Sequence, residues 1–202
     1  MHQVDGSNAK ADLPAIIRRV AQSIGKSFEV YWPADENGAN DPKEKNLSFH
    51  FAHVLLTDSF FVFAEANHPN HQGLDLLAIS PHRDFFIACE FKRHISNSIA
   101  DSIPDLNRVA SFSLNQKLRI GRVGENTMQT LSCCRTGIGL VAGLKWTSQS
   151  VMKELDRTTQ FARLIVELKG EIGKPEHVTR WNCDDVTGSY YIQYATFPLP
   201  CS

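Results

Sequence analysis

Three strand signals follow one another closely between residues 60 and 92, and they constrain this chain more than any other feature. Residues 60–66 are aromatic and β-branched, and residues 74–80 are short and apolar. Residues 85–92 are apolar until they turn charged at Glu90-Phe91-Lys92. Ser80-Pro81-His82-Arg83-Asp84 is turn chemistry, so the second and third strands are expected to form an antiparallel hairpin.

Helical patterns flank this meander. A first helix is expected to start at Asp12, with Pro14 in its opening turn and Ile16, Ile17, Val20 and Ile24 as its stripe, and to stop at Gly25. Residues 33–43 read as a loop. A second helix over about 44–57 would bury Leu47, Phe51, Val54 and Leu55 and break at Thr57-Asp58-Ser59. After the strands, a helix over 104–117 would turn Leu106, Val109, Ala110 and Leu114 inward. Residues 137–144 read as a buried strand, 149–169 as a helix and 190–197 as a last strand ending at Pro198. The expected fold is an α/β domain spanning 1–202. Its core, about 44–146, runs helix, three strands, helix, strand, with a mixed sheet between helices. An N-terminal helix and a C-terminal helix and strand (about 147–198) would complete it.

Composition narrows the function classes. With 42% hydrophobic and 21% charged residues in 202, the chain can bury a core without disulfides or structural metal. Its five cysteines have no zinc-ribbon spacing, and they read as reduced thiols acting as small hydrophobes. The polar N-terminus has no apolar signal region, and nothing approaches the roughly 18 apolar residues of a membrane span. A cytoplasmic protein with no membrane role is the expectation. The net charge of −1 hides a segregation: residues 106–153 carry seven bases against one acid, hence +6, leaving −7 for the remainder. Such a basic block suits a phosphate backbone, although acids from elsewhere in the fold could balance it.

The chemistry gathers on the hairpin. Side chains alternate along a strand, so Glu90 and Lys92 share one face while Cys89 and Phe91 share the other. Asp75 opens the preceding strand and is brought beside Glu90 by the hairpin. Two carboxylates interrupting apolar strands are costly to bury without partners. A hard cation such as Mg²⁺ (or Mn²⁺) takes oxygen ligands and would relieve their repulsion, with the backbone carbonyl of Phe91 as a further ligand. Lys92 would stand outside direct coordination, orienting or deprotonating water and stabilising charge on phosphate. The plainer account is a surface ion pair of Lys92 with Glu90 or Asp75, worth about 0–1 kcal/mol. It leaves the charged interruption of apolar strands unexplained. His68-Pro69-Asn70-His71 lacks a third zinc ligand and reads as a solvated loop beside the site.

Asp75 followed by Glu90-Phe91-Lys92, set on a hairpin within this order of elements, resembles the signature of the PD-(D/E)XK nuclease superfamily, the restriction-endonuclease-like fold. Leu74 stands where proline is common in that signature. The resemblance implies a metal-dependent nuclease hydrolysing phosphodiester bonds in DNA, or in RNA, with Asp75 and Glu90 as metal ligands and Lys92 as the catalytic lysine. It also implies a further acid, at Glu44 or Glu65, with Glu65 favoured. Arg93, His94, Arg108, Lys117 and Arg119 are expected to hold nucleic-acid phosphates. Targeting would come from a homodimer or a protein partner. The alternative is a catalytically inactive nuclease-like fold that binds nucleic acid or protein.

Overall fold

The computed structural model describes residues 6–30, 44–68, 71–81, 85–94, 102–112, 136–148, 157–183 and 186–199. Two helices come first, α1 (Gly6–Val30) and α2 (Glu44–Thr57), then the meander β1 (Phe61–His68), β2 (His71–Ile79) and β3 (Phe85–His94). Helix α3 (Ile103–Ala110) leads to β4 (Thr136–Thr147). Helix α4 (Gln160–Glu167) leads to β5 (Glu171–Ile172), β6 (Glu176–Cys183) and β7 (Val186–Leu199).

The seven strands form one mixed sheet in the order β1-β2-β3-β4-β7-β5, with β6 also pairing with β7. The first three strands are antiparallel neighbours, β3 and β4 run parallel, and β4 pairs antiparallel with β7 from Gly137–Leu199 to Thr147–Ser189. A parallel step needs a crossover, and the segment containing α3 supplies it. The result is a mixed α/β architecture with helices on both faces. Leu13, Ile17, Val20 and Ile24 of α1 and Leu47, Phe51, Val54 and Leu55 of α2 pack against Leu76, Ile87, Phe91 and Leu140 on one face. On the other, Leu106 and Val109 of α3 and Phe161 and Ile165 of α4 cover Leu77, Phe86, Val141 and Phe197. Each such buried side chain contributes about 1.5–3 kcal/mol.

Helix α2 keeps its expected bounds, and all four residues expected on its inner face are buried. Its end is a left-handed turn at Ser59 (φ 65°), with Phe60 N–H donating to Leu55 O. Arg19 ties α1 to this turn through Asp58 at 2.6 Å. Ser23 Oγ and His50 Nδ1, 2.8 Å apart, join the two helices further along.

Three expectations need correction. Helix α1 does not start at Asp12 or stop at Gly25; it runs from Gly6 to Val30 with Pro14 inside it. Gly25 serves a close approach: a Cβ there would lie 2.5 Å from the carbonyl oxygen of Val178 in β6. The expected helices over 104–117 and 149–169 are shorter where described. Helix α3 ends at Ala110 before the buried Phe112, and α4 begins at Gln160, where Thr159 caps the Ala162 N–H at 3.2 Å. Residues 113–117 and 149–156 lie outside the described set. The C-terminal region holds three strands rather than one. Val186–Leu199 is longer than the expected 190–197, and its second edge is covered by β6 and β5. Among the described residues, no helix is long and apolar enough to cross a membrane.

Candidate functional site

Strands β2 and β3 separate where the chemistry begins. Their pairing runs from Ile79–Phe86 to Leu76–Cys89 and goes no further. One residue beyond, Asp75 turns its side chain into the vacated position, and Phe91 N–H donates to its Oδ2 at 2.7 Å. The N–H and C=O of a strand residue point to the same edge, so the Phe91 carbonyl is directed to this side too. The alternation expected in β3 holds. Cys89 and Phe91 enter the core under α1 and α2, with the Phe91 ring centroid 5.2 Å from that of Phe51. Glu90 and Lys92 turn to the opposite face and meet α3.

Helix α3 brings two residues to them. Pro104 in its first turn and the stripe Leu106 and Val109 seat the helix on the sheet, which aims Asp105 and Arg108 at β3. Arg108 Nη1 lies 2.8 Å from Glu90 Oε2, and Arg108 Nη2 lies 3.4 Å from Asp105 Oδ1. Lys92 Nζ also lies 3.4 Å from Asp105 Oδ1. The cluster therefore contains three carboxylates (Asp75, Glu90, Asp105) and two cations (Lys92, Arg108).

Glu90 is the electrostatic centre. It is 1% exposed, and its Oε1 has no hydrogen-bond partner among the described residues. Burial and the neighbouring Asp75 push its carboxyl up to about 7, against the opposing pull of Arg108. Burial, with Asp75 and Glu90 nearby, also pushes the Cys89 thiol well up, so that thiol is a packed neutral group.

These donors fit a hard cation. Asp75 and Glu90 stand on adjacent strands, the Phe91 carbonyl is directed to the same edge, and a buried carboxylate oxygen has no partner among the described residues. No group of three or more His, Cys, Asp or Glu side chains poised for a metal occurs among the described residues. Mg²⁺ does not require one, because it is commonly held by one or two carboxylates while it keeps several waters.

The other expected site residues are placed unequally. Glu65 sits on β1 between the pairs Ala64–Leu76 and Ala66–Leu74, level with Asp75, and is exposed. Its φ of 51° is a strained value for a non-glycine strand residue. Glu44 is the first residue of α2, and its side chain is not described. Arg93 and His94 end β3 opposite Leu144 and Lys145 of β4, with only their backbones described. Lys117 and Arg119 lie outside the described residues. His68 and His71 are register partners where β1 and β2 meet, and Pro69 and Asn70 of the expected loop lie outside the described residues. Arg108 was expected among phosphate-holding groups and is found on the buried acid instead. Asp105 was not anticipated. A lone acid in the first turn of an amphipathic helix reads as a surface charge favoured by the helix dipole. Only tertiary packing reveals that it is 3% exposed.

Neither a scan against protein-family models nor a search of curated proteins returns a match to this chain.

Proposed function

We propose that this protein is a metal-dependent nuclease of the restriction-endonuclease-like type, hydrolysing phosphodiester bonds in DNA, with RNA the second substrate to test. The observation that carries the reading is the juxtaposition at the β2–β3 divergence. Asp75 and Glu90 are brought together on adjacent strands, Lys92 shares the face of Glu90, and a buried Glu90 oxygen has no partner among the described residues. The order α2, β1–β3, α3, β4 supports it, being the helix, three strands, helix, strand order that the resemblance implies.

In this reading Asp75, Glu90 and the Phe91 carbonyl hold Mg²⁺ or Mn²⁺. The bound ion would supply Lewis-acid stabilisation of charge on the scissile phosphate. The chain's own residues do the rest. Lys92, braced by Asp105, orients the attacking water and offsets negative charge as it grows on the phosphate. The part-buried Asp75–Phe91 hydrogen bond fixes the carboxylate against rotation. Arg93, His94 and the basic residues after β3 would hold the flanking strand as phosphate contacts, which carry affinity without reading sequence.

The 2.8 Å Arg108–Glu90 pair favours a second reading, an inactive binding module, because it neutralises the acid from within the fold. Cleavage of plasmid and single-stranded DNA with Mg²⁺ or Mn²⁺ separates the two. Metal-dependent cleavage by wild type that is lost in Asp75→Ala supports the nuclease. No cleavage by wild type, with no stabilisation by metal, supports the binding module.

A further inference from the structure

We propose that Arg108 is the resident cation of this site when it holds no metal, and that a divalent ion competes with it for Glu90. The inference rests on the metal-site reading above. A carboxylate that is 1% exposed cannot turn to water, so when ionised it needs a positive charge beside it. Arg108 supplies that charge at 2.8 Å, and a guanidinium cannot give up its proton to leave. A metal ion drawn to the same carboxylate meets the guanidinium as a like charge at short range, in a setting where charges are poorly screened.

Asp105 makes the exchange feasible. It is 3% exposed and one helical turn from Arg108, and its Oδ1 already lies 3.4 Å from Arg108 Nη2. If Glu90 passes to a metal, Arg108 keeps a carboxylate partner and is not left as an unpaired half-buried cation. The same oxygen lies 3.4 Å from Lys92 Nζ, so the exchange also reports to Lys92. On this account the metal affinity of the site includes the cost of displacing Arg108, and the site binds metal more weakly than its oxygen donors alone would.

The test is Mn²⁺ binding at pH 8 by calorimetry, comparing wild type with Arg108→Gln and Arg108→Lys. Arg108→Gln is expected to bind Mn²⁺ about tenfold tighter, equivalent to ~1.4 kcal/mol, with Arg108→Lys between the two. Because Arg108→Gln leaves Glu90 unpaired and could unfold, a second measurement uses the native chain. Mg²⁺ is titrated into ¹⁵N-labelled wild type while the Arg108 Nε–H resonance is followed, assigned by its absence in Arg108→Lys. That resonance is expected to shift in step with metal occupancy in wild type and to stay fixed in Glu90→Gln. Metal binding with unchanged or weaker Mn²⁺ affinity in folded Arg108→Gln, or with an unresponsive Arg108 signal, would overturn this inference alone. Absence of metal binding by wild type would overturn it together with the metal-site reading.

Discussion

The side chain of Asp75 accepts the backbone N–H of Phe91 at 2.7 Å, where the β2–β3 ladder has already ended at Leu76–Cys89. One carboxylate oxygen thus stands in for a strand carbonyl, which leaves the other for chemistry. Structural and catalytic roles of this residue should therefore separate by substitution. Asp75→Asn retains an acceptor for Phe91 N–H and should unfold near the wild-type midpoint, yet lose metal-dependent cleavage. Asp75→Ala leaves that amide without its acceptor and should cost a further ~1–3 kcal/mol in urea denaturation.

Glu90 gives the metal-free protein a characteristic pH dependence. Its folded-state pKa of about 7 lies above the ordinary 4.5, so the native state holds the proton more tightly. Its contribution to stability is fully present below about pH 4.5 and is lost as pH rises through about 7. A shift of this size corresponds to an effect of order 3 kcal/mol. His50 works in the opposite direction: burial lowers its pKa, so its contribution is lost as pH falls below the ordinary 6.5. The difference between wild type and Glu90→Gln isolates the carboxylate. With EDTA present, Glu90→Gln should gain stability over wild type as pH rises from 5 to 8. A constant difference across that range would mean Glu90 titrates normally.

Much of this arrangement is legible in the sequence, and the parts that are not share a cause. The meander could be read because apolar runs broken by Ser80-Pro81 and by the switch to Glu90-Phe91-Lys92 are local signals. Strand alternation alone assigned Glu90 and Lys92 to one face. Asp105 has no place in the site expected from sequence, and Arg108 is expected there on phosphate rather than on Glu90, because their proximity to β3 depends on how α3 docks, which no local pattern encodes. Gly25 read as a helix stop because its conformational freedom is the usual reason for a glycine there. The actual reason, the backbone of Val178 against α1, lies 153 positions away in the chain. Strand β6 was missed although Val178 and Trp181 offer apolar points in it, because its pairing with β7 is set by tertiary contact.

Arg108 is expected to matter for stability independently of any metal. Replacing it with Met leaves a buried acid unpaired, which should cost roughly 3–5 kcal/mol at pH 8. At pH 6 the loss should be smaller, since Glu90 can then take up a proton. Thermal unfolding of Arg108→Met at the two pH values, each against wild type, checks both magnitude and direction.

Close packing across the centre of the sheet makes a separate prediction. A Cβ at Gly139 of β4 would fall 2.4 Å from the ring of Phe197, which is fully buried. Gly139→Ala should therefore destabilise the protein by about 1–3 kcal/mol while leaving the β3 site intact. Its urea midpoint should fall, and its cleavage per folded molecule should match wild type.

Lys92, on the face of β3 that it shares with Glu90, is the residue proposed to drive metal-dependent phosphodiester hydrolysis. The most direct measurement is single-turnover cleavage of end-labelled DNA in saturating Mg²⁺, comparing wild type with Lys92→Ala under conditions where both are folded. A catalytic role for Lys92 implies cleavage by wild type that EDTA abolishes, and a rate in Lys92→Ala at least about 100-fold lower with DNA binding largely kept. Cleavage that survives Lys92→Ala unchanged would contradict it.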